Sequence, residues 1–157
     1  MLKRDYDQVC SIARTLEVLG ERWTLLVIRD VFNGRRRFDQ IQENLGVARN
    51  VLTSRLARLL GEGILEKRRY QDHPPRHEYF LTEKGLELWP VLISVMHWGD
   101  RHLAETGPPM LIRHKRCDGL VDERGICESC GDRLDARDAY TEHGPGAAAE
   151  SRRSAAA

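Results

Sequence analysis

The chain has 157 residues and a mass of 18.0 kDa, a length that suits one compact domain with a small appendage. Hydrophobic residues make up 41% of it and charged residues 31%, and its longest apolar runs are far too short to cross a membrane. The charged first residues lack the apolar middle of a signal peptide, which favours a cytoplasmic protein whose cysteines serve a metal or redox role rather than permanent disulfides.

The net charge of +1 is unevenly distributed along the chain. Residues 33–76 hold ten Lys and Arg against five Asp and Glu, whereas residues 77–105 hold two against five. A basic middle segment in a nearly neutral chain is typical of nucleic-acid-binding proteins, although a merely solvated basic surface has the same composition.

Two helices are predicted before residue 33. The apolar segment 23–32 predicts the second of them, which ends at the turn-forming pair Asn33 and Gly34. The first is predicted from apolar residues that recur at helical spacing: Ile12, Leu16, Leu19 and Trp23.

Two further helices follow, separated by a tight turn. The segment 38–45 predicts a short amphipathic helix that ends at Gly46 in a left-handed cap. The segment 50–63 predicts a helix with leucines on one face, and Asn50, Ser54 and Arg58 on the opposite face.

A hairpin and a long helical segment complete the larger part of the chain. Residues 64–70 and 77–82 predict two strands, joined by a loop that its prolines stiffen. Thr82 is expected to cap the next helix, and Pro90 either kinks that helix or marks the handover from a short helix to a longer one. The inner face of this segment is predicted to contain Leu88, Leu92, Val95 and Met96.

This order of elements predicts a mainly α fold with a small β-hairpin wing, the plan of a winged helix-turn-helix. The major groove of DNA admits one helix, and the wing reaches the flanking backbone or the minor groove. Donors for DNA are predicted before the bracing helix, on the reading helix and around the wing: Arg35, Arg36, Arg37, Arg49, Asn50, Thr53, Ser54, Arg55, Arg58, Arg68, Arg69, Arg76 and His77.

Residues 9–105 resemble the HxlR-type family of bacterial winged-helix transcription regulators, which are relatives of the MarR regulators. The resemblance is carried by "GERWTLLVIR", "RFDQI", "PPRHEYFLTEKG" and the late "WG". It implies a homodimer whose terminal helices pack across a two-fold axis and whose reading helices recognise a palindromic operator. The family often has Ser-Pro at the start of the reading helix, where this chain has Ala48 and Arg49.

Cys10 is a candidate redox sensor. It lies where the family frequently has a single cysteine, and in some members this thiol senses oxidants or electrophiles. A position just before a helix favours the reactive thiolate. The alternative is a small buried residue in a dimer contact.

The segment 114–131 holds three of the four cysteines and predicts a metal site. His114 and Cys117 form one pair with a two-residue gap, and Cys127 and Cys130 form another, a spacing that suits tetrahedral Zn²⁺ in a structural role. His143 or His102 are possible substitutes for His114. A redox dithiol and an iron–sulfur centre are the rival interpretations.

The predicted organisation is a DNA-binding and dimerisation domain at 1–105, a zinc-ribbon-like module at 106–142 and a disordered tail at 143–157. The function that follows is a DNA-binding transcription regulator, expected to act as a repressor, and not an enzyme, since no phosphate loop, nucleophile motif or open catalytic metal site is present. The alternative is an adaptor that docks protein partners through both parts. A metal-sensing regulator is a variant of the first interpretation.

Overall fold

The computed structural model describes residues 6–148. Their backbone contacts divide the chain into two compact units, one ending at Leu86 and the other beginning at Glu87. The elements of the first unit are α1 (Ser11–Leu19), α2 (Thr24–Phe32), α3 (Phe38–Leu45), α4 (Arg49–Gly61), β1 (Leu65–Gln71), β2 (Arg76–Leu81) and α5 (Glu83–Leu86). Those of the second are α6 (Trp89–His102), β3 (Met110–His114) and β4 (Ala139–His143).

The core of the first unit is built from the apolar faces of α2, α3 and α4. Each helix is amphipathic, so only one of its faces is excluded from water. Gly46 ends α3 with a φ of 61°, a left-handed conformation that glycine adopts without strain. The most deeply buried apolar side chains are Val27, Ile28, Ile41, Leu52, Leu56 and Leu59.

The wing is an antiparallel pair of strands, β1 and β2, in which Leu65 pairs with Leu81. The segment before α3 joins its edge, because Arg37 forms a bridge with Glu78 and the Arg36 carbonyl accepts a hydrogen bond from the Tyr79 N–H at 2.7 Å. The basic segment 35–37 and the wing are therefore held together by backbone hydrogen bonds. The predicted winged-helix fold class is confirmed.

The second unit contains α6 together with the Cys/His module. Trp89 and Ile93 are buried on α6, and a Cβ added at Gly125 would lie 3.5 Å and 3.6 Å from their side chains. Arg101 near the end of α6 also forms an ion pair with Glu123. The backbone thus groups α6 with the module, and the predicted functional boundary near residue 105 stays a prediction.

The structure resolves one open point, agrees with one expectation and corrects another. Pro90 lies in the first turn of α6, so it marks the handover between helices rather than a kink. Thr82 caps α5 as predicted, since its hydroxyl accepts a hydrogen bond from the Gly85 N–H. The prediction that Val95 lies on an inner face is wrong, because its side chain is 53% exposed.

The predicted disordered tail begins at His143, which in the structure is the last residue of β4 and pairs with Met110. The following turn stays against the start of β3, since Gly144 and Gly146 donate to the carbonyls of Pro109 and Pro108. Residues 149–157 of that predicted tail lie outside the described residues. Within 6–148, no helix has both the length and the apolarity that a membrane span needs.

Candidate nucleic-acid interface and metal centre

The helix α4 presents a polar face to solvent. Its leucines occupy the buried face, so Asn50, Ser54 and Arg58 are exposed as their spacing predicts. Thr53 is exposed as well, but its hydroxyl donates to the Arg49 carbonyl at 2.8 Å. This face therefore offers an amide, a hydroxyl and a guanidinium group to a partner.

The first turn of α4 suits an anionic partner. Ala48 occupies the N-cap and has no side-chain oxygen to accept from the first N–H groups of the helix. Arg49 is exposed beside them, and its guanidinium lies 4.8 Å from the centre of the Phe38 ring. Free N–H groups, the positive end of the helix dipole and an arginine together form a surface that favours phosphate.

Two arginines of α4 also form ion pairs with other residues of the first unit. Arg55 is half-buried and pairs with Glu21 at 3.2 Å, while its Nε is buried without a partner among the described residues. Arg58 pairs with Glu62 at 3.1 Å and donates to the Glu17 carbonyl at 3.4 Å. Arg55 therefore lies at the edge of the exposed face, and its predicted contact with DNA stays a prediction.

Phe80 in β2 brings together two of the predicted DNA-binding arginines. The guanidinium of Arg36 lies 4.5 Å from the centre of its ring, and that of Arg68 lies 4.3 Å away. Cation–π contacts of this kind hold the two side chains to one ring. Arg68 also pairs with Glu66, and both arginines remain exposed.

Arg37 is the most constrained of the predicted contacts around the wing. It pairs with Glu78 at 3.1 Å, and this hydrogen bond raises the pKa of its guanidinium. Its guanidinium also lies 4.5 Å from the centre of the Tyr70 ring. The remaining predicted residues lie on the two strands: Arg69 of β1, which pairs with Asp72, and exposed Arg76 and half-buried His77 of β2.

Asp30 is a buried carboxylate that contacts the basic segment 35–37 through Arg35. No pattern in the sequence indicated this role. It is fully buried, and Arg29 donates to Oδ1 from both Nε at 3.1 Å and Nη2 at 2.8 Å. Asn44 donates to Oδ2 at 2.8 Å, and the guanidinium of Arg35 lies 3.8 Å from Oδ1. Arg35 is thereby positioned by a buried carboxylate.

We expect Asp30→Ala to lower the free energy of unfolding by about 2 kcal/mol, because several hydrogen bonds to a buried charged group are removed. Thermal unfolding followed by circular dichroism measures this. Glu43→Ala, which removes an exposed carboxylate from α3, is the matched control and should unfold close to the wild type. Equal melting temperatures for the two variants would contradict the assigned role of Asp30.

The four predicted metal ligands converge at one point of the second unit. His114 is the last residue of β3, and its Nδ1 lies 3.2 Å from Cys117 Sγ and 3.3 Å from Cys130 Sγ. Cys117 Sγ lies 3.5 Å from Cys127 Sγ. All four donor atoms lie within 4.8 Å of one another, whereas the predicted substitutes His102 and His143 are not part of this cluster.

The local backbone explains how these donors meet. A Cβ at Gly119 would lie 2.5 Å from Cys127 Sγ, so only glycine fits beside that sulfur. Gly131, directly after the second pair of ligands, has a φ of 77°. The N–H of Cys130 lowers the pKa of the Cys127 thiol, with a smaller contribution from the Ser129 N–H, and this favours the metal-binding thiolate.

The donor set fits a tetrahedral metal ion. Bonds of about 2.0 to 2.3 Å from a central ion place donor atoms about 3.3 to 3.8 Å apart at the corners of a tetrahedron. The distances from His114 Nδ1 to Cys117 Sγ and Cys130 Sγ and from Cys117 Sγ to Cys127 Sγ, 3.2 to 3.5 Å, are close to this range, and no two donor atoms are more than 4.8 Å apart. Three sulfurs and one imidazole nitrogen thus form a cluster with the chemistry and spacing to hold a metal ion.

Cys10 lies at the N-cap of α1, and its side chain is half-buried. The sulfur makes no capping hydrogen bond to the helix, although the Cys10 carbonyl accepts from the Arg14 N–H at 3.0 Å. Its position before the first helix agrees with the sequence-based placement. A sensing role for the thiol stays a prediction.

Comparison with known proteins identifies similar chains. The family described as HxlR-like helix-turn-helix matches residues 18–107. Rv3095 of Mycobacterium tuberculosis, named as an HTH-type transcriptional regulator, is 45% identical over 137 residues, which is 87% of each chain. Because the match covers 137 of the 157 residues of this chain, it includes residues 114–131, where the four clustered ligands lie.

Two solved structures extend the comparison. The structure of PA1607, a proposed transcription factor, is similar with a TM-score of 0.68 and 31% identity, over 84% of this chain and 93% of that one. The redox regulator HypR in its oxidized form is similar with a TM-score of 0.55 and 30% identity, over 59% of this chain and 97% of that one.

Proposed function

Because the chain belongs to the HxlR-like helix-turn-helix family and is a transcriptional regulator of the HTH type, we propose that it is a repressor that binds a palindromic promoter site as a homodimer. The observation that carries this proposal is the exposed polar face of α4 beside a basic wing. We place the protein in the cytoplasm, where the promoter DNA is.

In the proposed complex, α4 enters the major groove and the wing follows the backbone. The side-chain amide of Asn50 and the guanidinium of Arg58 are suited to adenine and guanine edges, which they recognise with two hydrogen bonds each. Arg49 and the first N–H groups of α4 hold a phosphate. The wing arginines, with Arg36 and Arg68 placed by Phe80, contact the flanking backbone or minor groove.

The proposed homodimer is supported by apolar side chains that each unit leaves exposed. On α1, Ile12 is 71% exposed, and on α6, Val91, Val95 and Trp98 form an exposed stripe opposite the buried side chains. Apolar faces of this kind mark interaction surfaces. Recognition of a palindromic site would require the two α4 helices to lie about one turn of DNA apart, roughly 34 Å.

We assign the Cys/His cluster to structural Zn²⁺. Four protein ligands complete a tetrahedron and leave no position for a substrate, which is typical of structural rather than catalytic zinc. His114 and Cys127, the two buried ligands, would anchor the ion from inside, and Cys117 and Cys130 would close it from the exposed side. A bound ion would stabilise a module whose own apolar core is small.

We also propose that oxidation of Cys10 releases the protein from DNA, a proposal supported by the likeness to the redox regulator HypR. Peroxide or quinone should lower the affinity of the wild type for its DNA by at least tenfold, whereas Cys10→Ser should keep its affinity. Fluorescence anisotropy with a labelled duplex measures both. If Cys10→Ser loses affinity for DNA at the same oxidant concentrations as the wild type, the proposal is refuted.

The clustered thiols must be distinguished from Cys10 in that experiment. Zinc release, followed with a chromogenic chelator in the same samples, reports oxidation of the cluster. The proposal expects the DNA affinity to fall at oxidant concentrations that release no zinc. A fall in affinity only together with zinc release would assign the response to the cluster instead.

The proposed function as a whole is tested by binding to DNA from upstream of the protein's own gene, or to genomic fragments selected with purified protein. A repressor of this kind binds such a duplex specifically, and competitor DNA of unrelated sequence displaces it only at high excess. A protein-interaction adaptor shows no preference over competitor DNA. That result would overturn the assignment.

A further inference from the structure

A basic pocket lies beside the Cys/His cluster in the second unit. Of the residues that line this pocket, only His114 is a predicted metal ligand, and none belongs to the winged helix. The pocket has a volume of about 330 Å³. We propose that it binds a phosphate group. Its charged lining consists of four cations and two carboxylates: Lys115, Arg116, Arg133, Arg137, Asp132 and Asp138.

Two of the four cations, Lys115 and Arg133, form no ion pair with a carboxylate among residues 6–148. The ammonium of Lys115 donates to the carbonyl of Arg137, which fixes its position without neutralising it. Arg133 is exposed, and its side chain has no partner among residues 6–148. Arg116, in contrast, pairs with Asp132. The pocket therefore offers one fixed ammonium and one available guanidinium, the two groups that proteins use to bind phosphate.

Two walls of the pocket come from different segments of the chain, and each segment also carries one pair of the clustered ligands. Lys115 lies between the ligands His114 and Cys117, and Arg133 follows the ligand Cys130 by three residues. An ion bound by both ligand pairs would hold these two walls at a fixed distance. Phosphate binding is then dependent on the metal, and this part of the inference rests on the proposed zinc site.

The phosphate has two possible sources, free inorganic phosphate and the phosphodiester backbone of DNA. Both present the same oxygen atoms to the pocket, so the contacts alone do not separate them. If the pocket binds the DNA backbone, it adds a second contact to those of the winged helix. The affinity of the protein for DNA then depends on the metal. A free anion would instead act as a separate ligand.

The first experiment titrates inorganic phosphate into the zinc-loaded full chain at constant ionic strength and follows backbone amide resonances by NMR. We expect saturable shifts around residues 115 and 133, and at least tenfold weaker binding in the double variant Lys115→Glu, Arg133→Glu. Arg124→Glu, at an exposed arginine outside the pocket, is the matched control and should bind as the wild type does. Equal zinc content in all three proteins shows that the module is intact.

Absence of saturable shifts in the wild type would overturn the proposal, as would equal phosphate affinity in the double variant. Lys115→Arg, which keeps the positive charge, should retain binding, and a failure to bind there would also contradict the assignment. Because the titration uses no DNA, it does not depend on the repressor proposal. Failure of the chain to bind promoter DNA would leave this result unaffected.

A second arm identifies the source of the phosphate. The slope of log affinity for the promoter duplex against log salt concentration becomes shallower by about 0.9 for each DNA phosphate that the protein no longer neutralises. A smaller slope for the double variant than for Arg124→Glu assigns the pocket to the DNA backbone. Equal slopes, with phosphate binding abolished in the double variant, assign it to the free anion.

Discussion

Cys127→Ser is expected to abolish metal binding and to unfold the Cys/His module. Cys127 is the most buried of the three clustered cysteines, 1% exposed, and its sulfur lies against Gly119, where no other residue fits. A hydroxyl is a poor zinc ligand, and apparent binding free energies of structural zinc are about 10 to 16 kcal/mol in small domains. The zinc content of the purified variant should fall from one ion per chain to near zero.

Loss of the metal should destabilise the whole Cys/His module, because the apolar core of this module is small. Between residues 110 and 148 the buried apolar side chains are Ile112, Val121 and Leu134, together with Cys127 itself. Amide hydrogens of β3 and β4 should therefore exchange rapidly in the variant, while those of α2 and α4 stay protected. A strong chelator should produce the same pattern in the wild type.

Cys10→Ser is the matched control, since it makes the same chemical change outside the cluster. It should keep one zinc per chain and wild-type exchange in β3 and β4. One zinc per chain retained by Cys127→Ser would contradict the ligand assignment. A slowly exchanging module without metal would contradict the view that zinc supplies its stability.

The second large effect is expected for Arg49→Glu in α4. The change removes a phosphate-facing cation and places a carboxylate at the same point, so the affinity for promoter DNA should fall by about 10 to 100-fold, or roughly 1.4 to 2.8 kcal/mol. Arg49 is exposed in the first turn, where a glutamate interacts favourably with the helix dipole. The weaker binding is then not a consequence of unfolding.

Anisotropy titrations of a labelled promoter duplex measure this effect, and thermal unfolding checks the fold. Lys67→Glu, which makes the same change in charge at an exposed position of β1 outside the predicted contact set, should have a much smaller effect. Equal effects in the two variants would mean that only net charge matters. An unchanged affinity in Arg49→Glu would remove α4 from the proposed interface.

Hydrophobic periodicity predicted the elements of the winged helix well, because each helix buries one face within its own unit. The leucine face of α4 and the capping position of Thr82 agree with the structure. Periodicity does not distinguish a face that packs within the chain from one that awaits a partner. Helical spacing predicts Ile12, Leu16 and Leu19 on one stripe, yet of these three only Leu19 is buried.

The ligand spacing predicted the Cys/His cluster because a two-residue gap lets one turn present two donors, whatever the surrounding fold. The contacts between distant residues could not be predicted in this way. Asp30 meets Arg35 and Asn44 only after α2 and α3 pack, and Phe80 meets Arg36 only when the wing pairs with the segment before α3. The grouping of α6 with the Cys/His module likewise depends on tertiary packing.

We expect the exposed face of α4 to read double-stranded DNA. A crystal structure of the protein bound to a duplex selected from genomic fragments tests it most directly. We expect α4 of each protomer in the major groove, with Asn50 and Arg58 on base edges and Arg49 on a phosphate. A complex in which the α4 faces are buried against each other, or lie in solvent away from the duplex, would show that α4 is not the reading helix.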